Sequence, residues 1–339
     1  MSENNLLPDI NLDGMTILVT GGTGSFGCRF SELVLDKFHV KKLIILSRDE
    51  HKQYTMQQRR SFQNRREVRF FIGDVRDRER LQMAMRNVDY VVHAAALKHV
   101  PTTEYNPLEC IHTNINGAEN VVSAAIHCNV KRVIALSTDK AVNPINIYGA
   151  SKLAADKIFV AANQLSGATS TRFSVVRYGN VLGSRGSIIP LIKELARQKS
   201  EPIPLTDERM TRFWITLDQG INFVLTSLTL MKGGEIFVPK IPSMKITDML
   251  TALAPGKPTK VIGIRPGEKL REVLISEEDT ATVLELTNRY IICPPQDPGV
   301  SQYYQEFGAT KVPHGFRYAS DNNDEWLTAK SLQELLNSI

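Results

Sequence analysis

The sequence predicts an α/β fold, a doubly wound parallel sheet followed by a smaller C-terminal α/β portion. Three observations predict it. Strand-like and helix-like segments alternate through the first half, the strand-like ones are apolar without alternation, and a glycine-rich turn follows the first of them. Parallel neighbours need a crossover, usually a helix, which accounts for the alternation. Near-continuous apolar runs mark strands covered on both faces. Of 339 residues, 42% are hydrophobic and 23% charged, which is enough apolar material for a core and excludes a disordered chain.

The elements follow in order. Residues 15–20 form the first strand, and 26–38 carry helical spacing at Phe30, Leu33 and Val34. Residues 42–46, 68–72 and 89–96 read as the second, third and fourth strands. Residues 118–128 are helical, 133–137 the fifth strand, 148–164 a helix, and 174–178 the sixth strand. After about Asn180 the pattern loosens, with proline-rich breaks at 201–204, 239–242 and 294–298. Residues 1–180 are therefore expected to form a Rossmann-type unit, joined by a strand and helix returning near 210–240. Residues 181–339 are expected to be mainly a substrate-binding portion. In such sheets ligands bind beyond the carboxyl ends of the strands, so the residues after each strand are the candidates.

The net charge of +5 is modest for this length. Basic residues cluster from Arg59 to Arg69, either as a solvated helix end and loop or as a field that attracts anionic ligands. No nucleic-acid motif accompanies them. Cys28, Cys110, Cys128 and Cys293 lie far apart without metal-type spacing, and His127 and Cys128 are neighbours that point different ways on a helix. No metal is expected, and the thiols read as reduced. Residues 1–13 show no signal-peptide pattern, and no apolar run approaches the roughly 20 residues of a membrane helix. A cytoplasmic protein without a membrane partner is expected.

The turn Thr20-Gly21-Gly22-Thr23-Gly24-Ser25-Phe26-Gly27 lies between the first strand and the first helix. Glycines at 21, 24 and 27 allow a tight turn, backbone approach to a pyrophosphate and close helix packing. The helix N-terminus then offers N–H groups and partial positive charge to the anion. Gly21, Thr23, Gly24, Ser25, Phe26 and Gly27 are thus expected to hold a dinucleotide. At the end of the second strand, Ser47 and Arg48 precede Asp49. A serine hydroxyl and a guanidinium suit a ribose 2′-phosphate, so NADP is expected over NAD. Asp74 and Val75 fit an adenine-contacting position, with Asp77 beyond them a candidate helix cap. Ala94 and Ala96, with Ala95 between them, close the fourth strand with side chains small enough for a ribose to lie on, or for packing alone.

Tyr148 and Lys152 are four apart on a predicted helix and share a face. A tyrosine near pKa 10 needs a neighbouring cation to serve as a base at neutral pH. The pair suits hydride abstraction from an alcohol carbon, with Lys152 also placed to hold the nicotinamide ribose. Asp139 and Lys140 end the fifth strand beside them. They read either as a cap or surface ion pair, or as additional proton-transfer groups for more than a simple oxidation.

Assembled, these residues resemble the extended short-chain dehydrogenase/reductases, and within them the inverting UDP-N-acetylglucosamine 4,6-dehydratases of the pseudaminic acid pathway. The resemblance runs from about Met15 to about Glu272. It is carried by the glycine turn and by the stretches His93–Pro101, Ser137–Lys140, Tyr148–Lys152, Arg177–Val181, Arg209–Trp214 and Arg265–Lys269. Retaining nucleotide-sugar dehydratases have Asp-Glu where this chain has Asp139-Lys140, and some inverting enzymes of capsule pathways lack the tyrosine that is present here as Tyr148. The resemblance implies that Tyr148 deprotonates the sugar 4-hydroxyl as hydride leaves C4 for the cofactor. Lys140 then removes the C5 proton, Asp139 protonates the departing 6-hydroxyl, hydride returns to C6, and C5 is reprotonated from the opposite face. It further implies that Lys98 contacts cofactor and substrate, that Tyr148, Asn180, Val181 and Arg212 contact substrate, that Arg265 faces the diphosphate, and that the enzyme is a homo-oligomer, hexameric in the family. Arg212 reads equally as a packing residue. Other readings stay open: a different nucleotide-sugar 4,6-dehydratase, a nucleotide-sugar 4-epimerase, which needs neither Asp139 nor Lys140, and a non-catalytic dinucleotide-binding regulator.

Overall fold

The computed structural model describes residues 10–167, 170–184, 188–197 and 202–337. Residues 1–9 of the amino-terminal segment and Glu201 of the first proline-rich break lie outside them. The first half runs β1 (Thr16–Thr20), α1 (Ser25–Lys37), β2 (Lys42–Ser47), α2 (Glu50–Gln57), β3 (Val68–Ile72), α3 (Arg78–Ala84), β4 (Tyr90–His93), α4 (Val100–Tyr105), α5 (Pro107–Ile111), a π turn over His112–Asn116, α6 (Gly117–His127), β5 (Arg132–Thr138), α7 (Ile147–Leu165) and β6 (Arg172–Tyr178).

These six strands are parallel in the order β3-β2-β1-β4-β5-β6. The order reverses beside β1, and the crevice there opens at the strand carboxyl ends. All five residues of β1 are buried, as their apolar run predicts. Beyond β6 the sheet gains Ile236–Pro239 in parallel, then Arg289–Ile292, Val283–Leu286 and Thr310–Lys311 antiparallel. The helix Leu217–Leu230 packs on α1, and Arg29 clamps its Asp218 with two 2.7 Å bonds.

The chain beyond residue 180 therefore contributes to both layers. Its remaining pieces form a second core around Leu182, Ile192, Met210, Trp214, Met244 and Leu250. Two small sheets border that core, Asn180–Val181 with Thr211–Ile215 and Ser243–Lys245, and Ile203–Leu205 with Thr259–Val261, while a third, Val273–Ile275 with Tyr318–Ala319, packs into the main core.

One strand is shorter than the sequence suggests. Residues 94–96 leave β4: the Ala94 amide is shared between the Thr20 carbonyl at 3.3 Å and the Thr20 hydroxyl at 3.2 Å, and the Ala95 amide turns to that hydroxyl at 3.2 Å. In the basic cluster, Arg59 pairs with Glu32, Arg65 with Glu67, and Arg69 donates to the carbonyls of Arg66 and Val68. These arginines are engaged locally at the surface. All four cysteines are free thiols. Among the described residues no helix is long and apolar enough to cross a membrane.

Candidate active site

The glycine turn is built by close approach. Gly21 has φ +64°, and a Cβ there would meet the Ala95 amide nitrogen at 2.8 Å. A Cβ on Gly22 would strike Ile45, and one on Gly27 would enter the Gly22 backbone. The turn therefore lies flat between β1, β2 and the loop after β4, a cradle that larger residues would fill. Gly24 at the N-cap of α1 has no side chain to cover the helix's positive end, which suits an anion. The geometry fits a dinucleotide pyrophosphate. Thr23 is buried within the turn, and Ser25 and Phe26 are half-buried on it.

His93 at the end of β4 supports this region from beneath. The Thr20 hydroxyl oxygen accepts from two amides, so its own proton is directed at His93 Nδ1, 2.8 Å away. That leaves the ring neutral, with its proton on Nε2. Burial, with the Lys152 ammonium nearby, holds His93 down to about 3.

Toward the expected adenosine end, Ser47 is buried and its Oγ accepts from Gln53 at 3.1 Å. Arg48 is half exposed, 3.5 Å from Asp74 Oδ2. Asp74 also binds Arg76 at 2.8 Å. Val75 is buried, and its side chain packs where a Cβ on Gly117 would sit. Asp74 rather than Val75 is thus the side chain on the rim. Asp77 caps α3 through the Arg80 amide. Ala94 is half-buried and Ala96 exposed on the loop past β4. Asn114 in the π turn grips this loop by both the amide and the carbonyl of Leu97, at 2.8 and 2.9 Å, and so fixes the exposed Lys98.

The charged cluster lies where β5 ends. After Thr138 the chain makes a single 3₁₀ turn, Asp139–Ala141, and α7 presses against it so tightly that a Cβ on Gly149 would collide with the Lys140 carbonyl. Thr138 Oγ1 donates to Asp139 Oδ1 at 2.8 Å, and Lys140 Nζ reaches the same oxygen at 3.1 Å. The Tyr148 phenol lies within electrostatic reach of Thr138, Asp139 and Lys140, so phenol, carboxylate and ammonium form one cluster. Asp139 Oδ2 is buried with no partner among the described residues.

Burial pushes the Tyr148 phenol up to about 12, and Lys140 is the cation that pulls hardest in the opposite direction. The expectation that Lys152 would do this needs correcting. Its ammonium donates to the Leu136 carbonyl at 2.6 Å, and burial lowers its pKa. Burial also disfavours the Lys140 ammonium, but the carboxylates of Asp139 and Glu272 outweigh it and hold the group above the ordinary lysine value.

Glu272 was not singled out from the sequence, where it is one charge in a mixed run. Its Oε1 lies 3.2 Å from Lys140 Nζ. The loop that delivers it is stapled from several sides. Lys269 Nζ donates to the Val142 carbonyl at 2.6 Å, Asn146 Nδ2 to the Gly267 carbonyl at 2.8 Å, and Arg177 to the Leu274 carbonyl at 3.1 Å. Arg212 donates to the carbonyls of Thr211, Leu270 and Lys269 and lies 3.7 Å from Glu272. Its side chain is engaged inside this loop, beside the cluster. Asn180 follows β6, and its buried Oδ1 has no partner among the described residues. Val181 beside it is half-buried. Arg265 is exposed, 3.8 Å from Glu268. Of the residues missed, Thr138 lay inside a quoted stretch. Glu272 and Asn114 carry no local signal, since only the fold brings them here.

Residues 17–294 match the model of a family described as polysaccharide biosynthesis protein. The chain is 54% identical over 330 residues to the UDP-N-acetylglucosamine 4,6-dehydratase (inverting) of Campylobacter jejuni subsp. jejuni serotype O:23/36 (strain 81-176), covering 96% of this chain and 98% of that one. It is 42% identical over 332 residues to a UDP-glucose 4-epimerase of Rickettsia canadensis, covering 95% of each. The X-ray structure of Pen from Bacillus thuringiensis superposes with a TM-score of 0.86 at 34% identity, over 97% of this chain and 99% of that one. Sheet order, glycine cradle and these likenesses agree, and the chain belongs to the polysaccharide biosynthesis protein family of extended short-chain dehydrogenase/reductase-like enzymes.

Proposed function

We propose that this protein is a hydro-lyase that removes water from UDP-N-acetylglucosamine across C5 and C6 with inversion at C5. The observation that carries the reading is the cluster at the end of β5, where Asp139 Oδ1 accepts from Thr138 and from Lys140 Nζ and the Lys140 charge acts on the Tyr148 phenol. A bound nicotinamide dinucleotide, NADP on the strength of Ser47 and Arg48, supplies the hydride acceptor at C4 and the donor at C6. As its phenolate, Tyr148 takes the proton of the 4-hydroxyl, and a buried tyrosine reaches that form only with the pull of a cation. The C4 ketone acidifies the hydrogen on C5. Lys140 passes its own proton to Asp139, then takes the C5 proton as a neutral amine, while Asp139 protonates the departing 6-hydroxyl; C5 then receives a proton on the opposite face as C6 is reduced, which balances the proton taken from the 4-hydroxyl. Lys98, Asn180, Val181 and Arg265 contact the nucleotide sugar in this reading, and residues 181–339 supply most of the substrate-binding walls. A homo-oligomer working in the cytoplasm on surface-glycan precursors of the pseudaminic acid type completes the proposal.

The 4-epimerase reading is favoured by the Rickettsia likeness, and it leaves the Asp139–Lys140 pair without a task. One experiment decides between them: reaction with UDP-N-acetylglucosamine in deuterated water, followed by NMR of the product. Deuterium at C5 with inverted configuration is expected. An undehydrated C4 epimer, or a Lys140→Ala variant that turns over normally, would make the epimerase the better account. Comparative titration tests the cofactor, with tighter binding of NADP expected.

A further inference from the structure

Glu272 is 2% exposed. Its backbone is held by Ser320, whose Oγ accepts its amide at 2.9 Å and whose amide donates to its carbonyl at 2.8 Å. The side chain takes no part in that tie. It reaches the cluster, with Oε1 3.2 Å from Lys140 Nζ and Oε2 buried without a partner among the described residues. Glu272 Oε1 lies between Lys140 and, at 3.7 Å, the Arg212 guanidinium, which is already engaged by three backbone carbonyls; the Asp139–Lys140 pair does not need Glu272 to be neutral.

We propose that Glu272 is a positioning residue that keeps one mobile proton on the Asp139–Lys140 pair and holds the amine where that proton can pass between them. The proposal rests on the dehydratase reading, because only a reaction that needs a base and an acid together needs this proton. Transfer from Lys140 Nζ to Asp139 Oδ1, across 3.1 Å, breaks an N–H bond and forms an O–H bond. It leaves a neutral amine beside a neutral acid and requires no co-reactant. The pair serves only while it holds one proton. The groups facing Lys140 are Asp139, Glu272 and Tyr148, with Arg212 and Lys269 bordering Glu272. Asp139 and Glu272 retain the proton on the lysine side and Arg212 opposes them, so removal of the Glu272 charge lets the pair lose its last proton at lower pH.

Glu272→Gln keeps the shape and removes the charge. In the cofactor-loaded enzyme acting on UDP-N-acetylglucosamine, kcat is expected to fall and its alkaline limb to move about one pH unit lower, with KM within about threefold of the parent. Glu272→Asp is expected to restore part of both. A limb that coincides with that of the parent, or a defect confined to KM, overturns the proposal. The parent enzyme separates the two ideas. If it yields no dehydrated product, the reading of the reaction fails, whereas normal parent turnover with an unchanged Glu272→Gln profile removes only the role of Glu272. A second measurement needs no substitution at 272. In holoenzyme labelled at lysine Cε, the Lys140 resonance, assigned by its loss in Lys140→Gln, is expected to titrate above free lysine. A midpoint at or below free lysine overturns the proposal.

Discussion

Tyr148→Phe removes one hydroxyl and keeps the ring, a change worth about 1 kcal/mol or less to the fold. Its melting temperature should stay within a few degrees of the parent while kcat falls roughly 10²–10⁴-fold, the usual worth of a proton-transfer group. A collapse in stability would mark the residue as structural. His93 makes a prediction of the opposite kind. Its folded pKa lies near 3, below the unfolded value near 6.5, so the unfolded chain binds a proton that the folded chain refuses. That stability is present above pH 6.5 and is lost as pH falls toward 3, at about 1.4 kcal/mol per unit. Between pH 6.5 and 5 the loss from this ring is about 2 kcal/mol. Denaturant unfolding of His93→Phe should show a correspondingly shallower acid dependence, and an unchanged slope would refute the assignment. Much at this scale was legible. Tyr148, Lys152, Asp139 and Lys140 were readable because their spacing encodes a shared face or a strand end. Glu272 was not, because a tertiary ion pair across the chain leaves no periodicity. Lys152 was misread in its effect, since its carbonyl partner Leu136 is invisible without the fold.

At the scale of elements, the contact between α7 and the turn after β5 deserves a direct test. In an exposed helix, Gly→Ala stabilises by roughly 0.5–1 kcal/mol. Gly149→Ala should do the reverse, destabilising by about 1–3 kcal/mol, because the added methyl enters the Lys140 carbonyl. Activity should drop with it as the Lys140 ammonium is displaced. A neutral or stabilised variant, read from urea midpoints, would contradict the packing. The strands of the first half were readable to within a residue or two, with β3 the same at both ends, because apolar runs flanked by polar turns are a strong signal. The fourth strand was overextended, since Ala94–Ala96 is apolar yet its first two amides are captured by a threonine on another strand. The short strands after residue 180, some of only two or three residues, offer too little periodicity to read.

Across the whole molecule, Glu235 ties the late strands to the early sheet. It accepts from Ser174 Oγ in β6, from the amides of Lys232 and Gly233, and from the Tyr304 hydroxyl, at 2.5–2.8 Å. Glu235→Ala leaves the Ser174 hydroxyl and the Gly233 amide buried and unpaired, so an overall loss of about 3 kcal/mol or more is expected in calorimetry. A change under 1 kcal/mol would show that the junction is not a keystone. Sequence patterning exposed the first six strands, yet it concealed that the sheet continues through Arg289–Ile292 and beyond, because antiparallel additions need no crossover helix to announce them. The outer edge of β6 consequently waits for Ile236 and Phe237 to leave the ribosome before Val175 and Val176 gain their ladder partners. During synthesis that row of amides and carbonyls is an unguarded template for a foreign strand, so chaperone demand and aggregation should concentrate in the interval between translation of residues 178 and 236.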